Sequence, residues 1–432
     1  MSALSTIKYC GDVFMLKIVY PNCCGIDVHK KFVVATVGIT NKSGVTEYHT
    51  RQFSTFTENL QQLLRWLKSL NCTNVCMEST GKYWIPPFNI LENDCEVVVA
   101  NPKYVKGIRG KKTDKKDSIW ICDLHKHGLV PNSFIPPKII RDIRDLMRYR
   151  YKLICFKSSE KNRIQNSLTV SNIMLSSVVS DTFGKSSMKI INHLLNNPDD
   201  TTFDVAPMLH NRMKASAETV SKSINGNLSD VQAEKMRVCF SHFDSIETCI
   251  ANVESAVLKL CQPFMKQIEI ILTLPSVKDI FTAITIIGEI GVDMTAFASA
   301  KHLCSWAGLT PQNNESAGKK KSVRVSRAGV YIKPLLVQCA NAAIKSKECS
   351  YFKIRYDQIK KRRGHKKAII AIAHVLLNCI YHMLVKNEPF NYDLHKIDSN
   401  PQVNYVPHIT EEMAVRYLQT LGYPIPNLIN ST

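Results

Sequence analysis

Two acidic residues stand at the ends of short apolar runs early in the sequence. Asp27 lies in CCGIDV, and Glu78 ends NVCME. β-Branched apolar runs of this length predict buried strands, and the ends of adjacent strands can bring two carboxylates side by side. Two carboxylates so placed repel each other unless a cation lies between them. A lone Asp after a strand is more often a turn residue or a helix cap, so the pair matters more than either residue.

A second acidic pair, Asp114 and Asp117, occurs in KTDKKDS. The two residues are three apart at a predicted helix start and therefore project from one face. Divalent ions such as Mg²⁺ take oxygen ligands from a few carboxylates, and such a set can orient a phosphodiester. We therefore predict that Asp27, Glu78, Asp114 and Asp117 bind Mg²⁺. Taken alone, the second pair is equally typical of a helix cap with solvated charge.

The segments around these residues predict three strands followed by alternating helices and strands. The predicted strands are CCGIDV, FVVATVGI, 46–53, 74–77 and 96–100, and the predicted helices are 57–69, 83–93, 113–127 and 137 to the mid-160s. Three strands followed by alternating helix and strand is the order of an α/β RNase H-like (RuvC-like) domain.

The remainder of the chain is predicted to be mainly helical. Residues 168–229 have no clear pattern, whereas Val253, Val257 and Leu260 are spaced as in an amphipathic helix over 230–267, a helical coiled-coil spacer with imperfect heptads. A mainly α domain follows, interrupted by a polar loop between Pro311 and Arg327. The expected divisions are an N-terminal extension (1–20), the α/β domain (21–165), the spacer (166–267), the mainly α domain (268–387) and a tail (388–432) with one helix at 409–420.

The charge of the chain predicts a polyanionic partner. Lys and Arg number 56 against 36 Asp and Glu, giving a net charge of +20. Between Lys301 and Lys367, 17 basic residues face three acids, and between Lys103 and Arg163, 17 face six. Nucleic acid is the expected partner, because a membrane-surface protein would need a basic amphipathic helix or a lipidation signal, and the sequence has neither. The apolar segment 368–385 is expected to be a buried helix, since it carries His374 and His382.

The 15 cysteines favour a reducing compartment. They are odd in number and scattered, without a CxxC pair or a secretory signal, so we expect a cytoplasmic protein without a disulfide framework. Cys72 with Cys76, or Cys122 with His125 and His127, could be read as zinc ligands, but their spacing lacks the paired knuckles of a zinc site.

Several motifs together resemble the insertion sequence one-ten transposase family. They are GIDVHK, MESTGKYW and NPKYVKGIRGKKTDKKDS in the first part of the chain, and LTLPSVKDIFTAITIIGEIG, FASAKHLCSWAGLTPQNNESAGKKK and VSRAGVYIKPLL in the later part. The resemblance covers roughly residues 20 to 165 and 268 to 387. It implies a transposase with a RuvC-like DEDD domain and a second, serine-bearing domain, guided by a structured bridge RNA that pairs with donor and target DNA.

The resemblance also implies roles for particular residues. Ser316 would attack the DNA and hold it as a phosphoserine, and Asp27, Glu78, Asp114 and Asp117 would be the metal set. From the residues alone, Ser316 is one of several serines in a polar loop. Contacts to nucleic acid are expected from Lys111, Lys112, Lys319, Lys320, Lys321, Arg324, Arg327, Lys360, Lys361, Arg362 and Arg363. The serine and the carboxylates must meet, within one chain or between chains, and the helical arm favours a homo-oligomer, a dimer or tetramer, with composite sites.

The sequence departs from the family pattern at two places. Pro275, Ser276, Val277 and Lys278 stand where the family usually has PGIG, and Ala317 stands where it has glycine. Loss of a glycine turn puts backbone binding of phosphate in doubt, although Lys278 could supply a charge.

Two other functions remain open on the sequence. The α/β domain could belong to a metal-dependent, structure-specific nuclease in which Ser316 is a loop residue. Alternatively, the carboxylates could be helix caps, and the chain a non-catalytic RNA- or DNA-binding scaffold.

Overall fold

The computed structural model describes residues 16–105, 113–197, 200, 202–311, 314–316, 319–322 and 324–395. The chain divides into two compact units, Met1–Pro137 and Lys138–Thr432. The predicted helix 409–420 and most of the N-terminal extension lie outside the described residues.

The first unit is built on a five-stranded mixed sheet in the order β3-β2-β1-β4-β5. Its strands are β1 Asn22–Val28, β2 Phe32–Thr40, β3 Thr46–Ser54, β4 Asn74–Glu78 and β5 Glu96–Ala100, and its helices are α1 Thr57–Ser69, α2 Ile85–Leu91, α3 Pro102–Val105 and α4 Asp114–Lys126. The pairs β1–β2 and β2–β3 are antiparallel, whereas β1–β4 and β4–β5 are parallel. The predicted mixed α/β region is confirmed.

The two faces of this sheet are covered by different helices. In β1, Cys24, Ile26 and Val28 belong to a hydrophobic core that includes α1 and α2. Alternate residues of a strand point to opposite faces, so Cys23, Gly25 and Asp27 lie on the other face. That face is covered by α4: the Sγ atoms of Cys23 and Cys122 are 3.7 Å apart. Asp27 therefore lies on the side of the sheet that carries α4.

Gly25 permits an unusually close approach of α4 to β1. A Cβ atom at this position would lie 2.2 Å from the backbone N of Cys122 and 2.4 Å from the backbone O of Ser118. Helix α4 is fixed further by Ser118, which is fully buried and whose Oγ lies 2.7 Å from Oγ1 of Thr36 on β2.

The second unit is mostly helical, as predicted. Its elements are α5 Lys138–Val170, α6 Leu175–Val178, α7 Lys185–Asn196, α8 Ala217–Ser223, α9 Asp230–Leu260, α10 Met265–Leu272, α11 Ile280–Ile290, α12 Ala300–Trp306, β6 Asn314–Ser316, β7 Lys319–Ser322, α13 Ile332–Ala343, α14 Ser350–Arg363 and α15 His365–Lys386. The sequence grouped residues 137–165 with the α/β region, whereas α5 packs on α9 and α11 inside the second unit.

Helices α5 and α9 form an antiparallel pair. Arg150 forms an ion pair with Glu254 at 2.6 Å, and Lys157 forms one with Glu247. Lys157 follows Arg150 in α5, whereas Glu247 precedes Glu254 in α9, so the two helices run in opposite directions. The described residues between the two helices, which had no clear sequence pattern, form short helices. Their apolar side chains, among them Ile190 and Val220, share one core with residues of α5 and α9 such as Ile164 and Met236.

The predicted helix 230–267 is wrong at its C-terminal end. Helix α9 ends at Leu260, a 3₁₀ turn spans Gln262–Phe264, and α10 begins at Met265. The break falls at Pro263, which has no backbone N–H to donate within a helix.

The apolar helix α15 is long and apolar enough to cross a membrane, and half of its most apolar stretch is buried inside the protein. It packs on α10, α12, α13 and α14, as a core helix would. The predicted helix is present, and its buried residues pack in the core of the second unit.

The contact at Gly25 yields a stability prediction. Gly25→Ala should lower the free energy of unfolding of the first unit by about 3 kcal/mol, because backbone atoms of α4 must move to admit the methyl group. Urea unfolding followed by circular dichroism measures the change. Gly44→Ala is the control: nothing lies within 4 Å of its Cβ position and only its φ of +83° is unfavourable, so about 1 kcal/mol is expected. Equal losses in the two variants would contradict the prediction.

Candidate active site

The predicted strand carboxylates lie at the same edge of the sheet. In the parallel pairing of β1 with β4, Ile26 is opposite Met77, so the next residues, Asp27 and Glu78, are neighbours at the carboxyl ends of the two strands. Glu78 is two residues beyond Cys76, which packs in the small core on the α4 side with Ile121. Both carboxylates therefore lie on the sheet face that α4 covers.

Helix α4 brings the second acidic pair to the same place. The Thr113 side chain caps the helix by accepting a hydrogen bond from the Lys116 backbone N–H at 3.3 Å. The cap fixes the start of the helix and places Asp114 and Asp117 in its first turn. The Thr36–Ser118 hydrogen bond holds the residue after Asp117 against the sheet.

The electrostatics of Asp27 reflect this convergence. Asp27 is only 8% exposed, and this burial is the main reason that the pKa of its carboxyl is raised above the ordinary value. His29 lowers this pKa, while the charges of Asp114 and Asp117 raise it. Three carboxylates thus lie close enough to influence one another, which favours a cation between them.

His29, which was not among the predicted site residues, joins the carboxylates. Its Nε2 lies 3.1 Å from Oδ2 of Asp27 and 3.5 Å from Oδ1 of Asp114. Within the described ranges, these three residues are the group whose ligand atoms could hold a metal ion. The signal was available in GIDVHK, because a residue two positions after Asp27 shares its side of the strand. The oxygen donors of this group suit a hard divalent cation.

The zinc interpretation of the cysteines is not supported by their positions. Cys72 packs in the core with α1 and α2, whereas Cys76 packs in the core on the α4 side. Burial raises the pKa of both thiols to about 12. His125 stacks on Tyr20 at 4.6 Å, and burial lowers its pKa to about 4.

The predicted serine loop contains a short β-hairpin. Backbone pairing sets Ser316, the last residue of β6, opposite Lys319 of β7. A bridge between Pro311 and Val325 continues the pairing toward the base. The Nζ of Lys333 donates to the backbone oxygens of Ser326 at 2.6 Å and Ala328 at 2.8 Å, so the segment that follows the hairpin is anchored to α13.

Other predicted contact residues differ in how they are placed. Arg324 and Arg327 are exposed, as are Lys360, Lys361, Arg362 and Arg363 in the last turn of α14. Lys111 and Lys112 lie outside the described residues, as do the side chains of Lys319, Lys320 and Lys321. The expectation that Lys278 offers a charge to phosphate is weakened, because its Nζ is 2.8 Å from Oε2 of Glu348 and this pair already offsets its charge.

Comparison with known proteins gives matches in both units. Residues 24–173 match a family model described as a transposase, and residues 268–357 match one described as the transposase IS116/IS110/IS902 family. Together the two matches cover more than half of the chain. Pilin gene-inverting proteins from Moraxella lacunata and Moraxella bovis are each 31% identical over 112 residues, 24% of this chain. The chain spans about a third of the length of these relatives, 33% in each case.

The raised pKa of Asp27 predicts that its charge destabilises the metal-free fold. Because the folded state has the higher pKa, the free energy of unfolding falls as the pH rises from the unfolded-state pKa through the folded-state pKa, and the penalty persists above the folded-state pKa. Asp27→Asn should therefore unfold at an equal or higher urea concentration than the wild type at pH 7 in the presence of a chelator.

Asp123→Asn is the matched control in the same unit. It removes the carboxylate that lies 2.7 Å from Nζ of Lys126, a lysine that is only 6% exposed. This substitution should lower the free energy of unfolding by about 1–3 kcal/mol. Destabilisation by Asp27→Asn of the same size would show that Asp27 is a structural residue.

Proposed function

Because this chain belongs to the IS116/IS110/IS902 family of transposases, we propose that it is an enzyme that cuts and rejoins the DNA of an insertion sequence. The observation that carries the proposal is the convergence of Asp27, Asp114 and Asp117, with Glu78 at the adjacent strand end. The mixed strand order supports an RNase H-like (RuvC-like) fold for the first unit. The pilin gene-inverting relatives, named for a DNA rearrangement, are consistent with this class of reaction.

The four carboxylates are proposed to hold Mg²⁺. When bound, the ion would orient a phosphodiester and offset the charge that develops on its oxygens. The chain prepares the site without the ion: burial of Asp27 keeps one oxygen ligand away from bulk water, and the Thr113 cap fixes the start of the helix whose first turn carries Asp114 and Asp117.

Ser316 is proposed as the nucleophile. Its Oγ would attack the phosphorus, the P–O bond to the leaving strand would break, and the departing oxygen would take up a proton. The serine proton would pass to a base, and a new strand end would later attack the same phosphorus and release Ser316. Exposed basic residues such as Arg324 and Arg327 would stabilise the negative charge that builds on the phosphate. A short hairpin with an anchored base is a suitable support for this serine.

The partners are proposed to be donor DNA, target DNA and a structured bridge RNA. The basic residues attract phosphates whatever their sequence, and pairing with a guide would relieve the protein of reading base edges. The enzyme is proposed to act in the cytoplasm as a homo-oligomer, a dimer or tetramer, with sites that combine the carboxylates and the serine.

The serine assignment predicts the effect of one substitution. Ser316→Ala should remove strand cleavage and joining while nucleic-acid affinity changes little, because the hydroxyl supplies the attacking atom and few binding contacts. Protein, labelled DNA and RNA transcribed from the flanks of the element are incubated and denatured, and any covalent adduct is mapped by mass spectrometry. The wild type should give a phosphate on Ser316.

The controls separate this enzyme from the other two functions. Ser322→Ala and Ser326→Ala should retain the adduct, and Asp117→Asn should lose it. Efficient cleavage by Ser316→Ala would overturn the nucleophile and favour a metal-dependent nuclease. Absence of cleavage by the wild type, with binding intact, would favour a scaffold.

The exposed basic turn at the end of α14 predicts salt-dependent binding. Replacing Lys360, Lys361, Arg362 and Arg363 with alanine should weaken binding and flatten the plot of log affinity against log salt by about 0.7–0.9 for each phosphate that is no longer neutralised. Fluorescence anisotropy measured at salt concentrations from about 50 to about 400 mM gives the slope. Four alanines at Lys185, Lys189, Arg212 and Lys222 are the charge-matched control. Identical slopes in all three proteins would remove this turn from the interface.

A further inference from the structure

We propose that His29 is a ligand of the divalent ion at Asp27 and Asp114, and that its nitrogen makes the site favour Mn²⁺ over Mg²⁺. This inference rests on the proposed function in one respect, that the carboxylates bind a divalent ion. It adds a nitrogen ligand to what would otherwise be an all-oxygen site.

The distances fit adjacent ligands of one ion. Neighbouring ligands of an octahedral ion, each about 2.1–2.2 Å from the metal, are separated by about 3.0–3.1 Å. Nε2 of His29 lies 3.1 Å from Oδ2 of Asp27 and 3.5 Å from Oδ1 of Asp114. Small movements of the half-exposed Asp114 side chain would bring the second distance into the same range.

The local structure holds the imidazole in this position. The His29 backbone N–H donates to the Phe32 oxygen at 3.0 Å, which closes the turn between β1 and β2. The rings of His29 and Phe32 pack with their centroids 4.7 Å apart, so Phe32 restricts the movement of the imidazole on one side. Its side chain is 37% exposed against 11% for Asp27, so His29 lies on the outer side of the group, with Asp27 beneath it. Solvent or a phosphate could therefore complete the coordination.

The identity of the donor atoms decides which ion benefits. Carboxylate and water oxygens suit Mg²⁺ and Mn²⁺ alike, whereas imidazole nitrogen binds transition metals better than it binds Mg²⁺. A histidine ligand therefore increases the affinity of the site for Mn²⁺ relative to Mg²⁺. The competing interpretation is that His29 only donates a hydrogen bond to Asp27. The two interpretations differ in a measurable way, because glutamine can replace the hydrogen bond but not the nitrogen ligand.

The test uses the full-length protein and Mn²⁺ alone. Electron paramagnetic resonance measures Mn²⁺ affinity and its competition by Mg²⁺, and electron spin echo modulation detects ¹⁴N bound to Mn²⁺. His29→Gln should lose the nitrogen signal and bind Mn²⁺ at least about tenfold more weakly, because removal of even a residue that only supports a metal ligand lowers metal affinity by about this factor. The affinity for Mg²⁺ should change much less. His49→Gln is the matched control. His49 also follows an acid by two residues, Glu47 at 3.4 Å, and is 39% exposed in the same sheet.

Three results would decide between the interpretations. Loss of the nitrogen signal in His29→Gln but not in His49→Gln supports the inference. Mn²⁺ binding that needs Asp27, shown with Asp27→Asn, but has no nitrogen signal or is unchanged in His29→Gln, overturns the histidine ligand and leaves the carboxylate site in place. Equal Mn²⁺ binding by the wild type and Asp27→Asn overturns the metal site itself.

Discussion

The contact between β1 and α4 at Gly25 is the constraint on which the candidate site depends. With hydrogen as its side chain, Gly25 lets the backbone of α4 at Cys122 lie directly against the strand. The contact brings the first turn of α4 to the end of β1, where Asp27 lies two residues after Gly25. A larger residue would push the helix outward and separate Asp114 from Asp27. The geometry of the carboxylates is thus a result of packing between two elements almost a hundred residues apart in sequence.

The site combines features that cost stability with features that restore it. Mutually repelling carboxylates, one of them buried, raise the free energy of the folded chain when no cation is present. The Thr36–Ser118 hydrogen bond, the Thr113 cap and the sheet core work against that repulsion. This is the usual balance at a functional site, where binding or catalysis requires an arrangement that folding alone would not favour.

The second unit solves a different problem, that of holding an exposed basic surface on a stable frame. Arg148 makes two hydrogen bonds, at 2.7 and 2.8 Å, to the buried carboxylate of Glu289. Arg144 donates to the backbone oxygens of Gly288 and Glu289 at the end of α11, which have no partners within the helix. These bonds join α5 to α11 from the inside, and the excess positive charge remains on exposed positions such as the last turn of α14. Asp27 is the buried member of the acidic cluster in the first unit, whereas basic residues of the second unit form an exposed surface available to nucleic acid.

The sequence by itself determined the strands, most helices and the shared face of Asp114 and Asp117, because alternation, helical spacing and capping are local properties. It also determined the basic character of the chain. Only the tertiary structure decided that α4 covers the face bearing Asp27 and Glu78, that His29 reaches Asp114, and that the short helices between α5 and α9 share a core with those two helices. These facts depend on contacts between distant segments, such as Gly25 with Cys122, and no local period encodes which helix covers which face of a sheet.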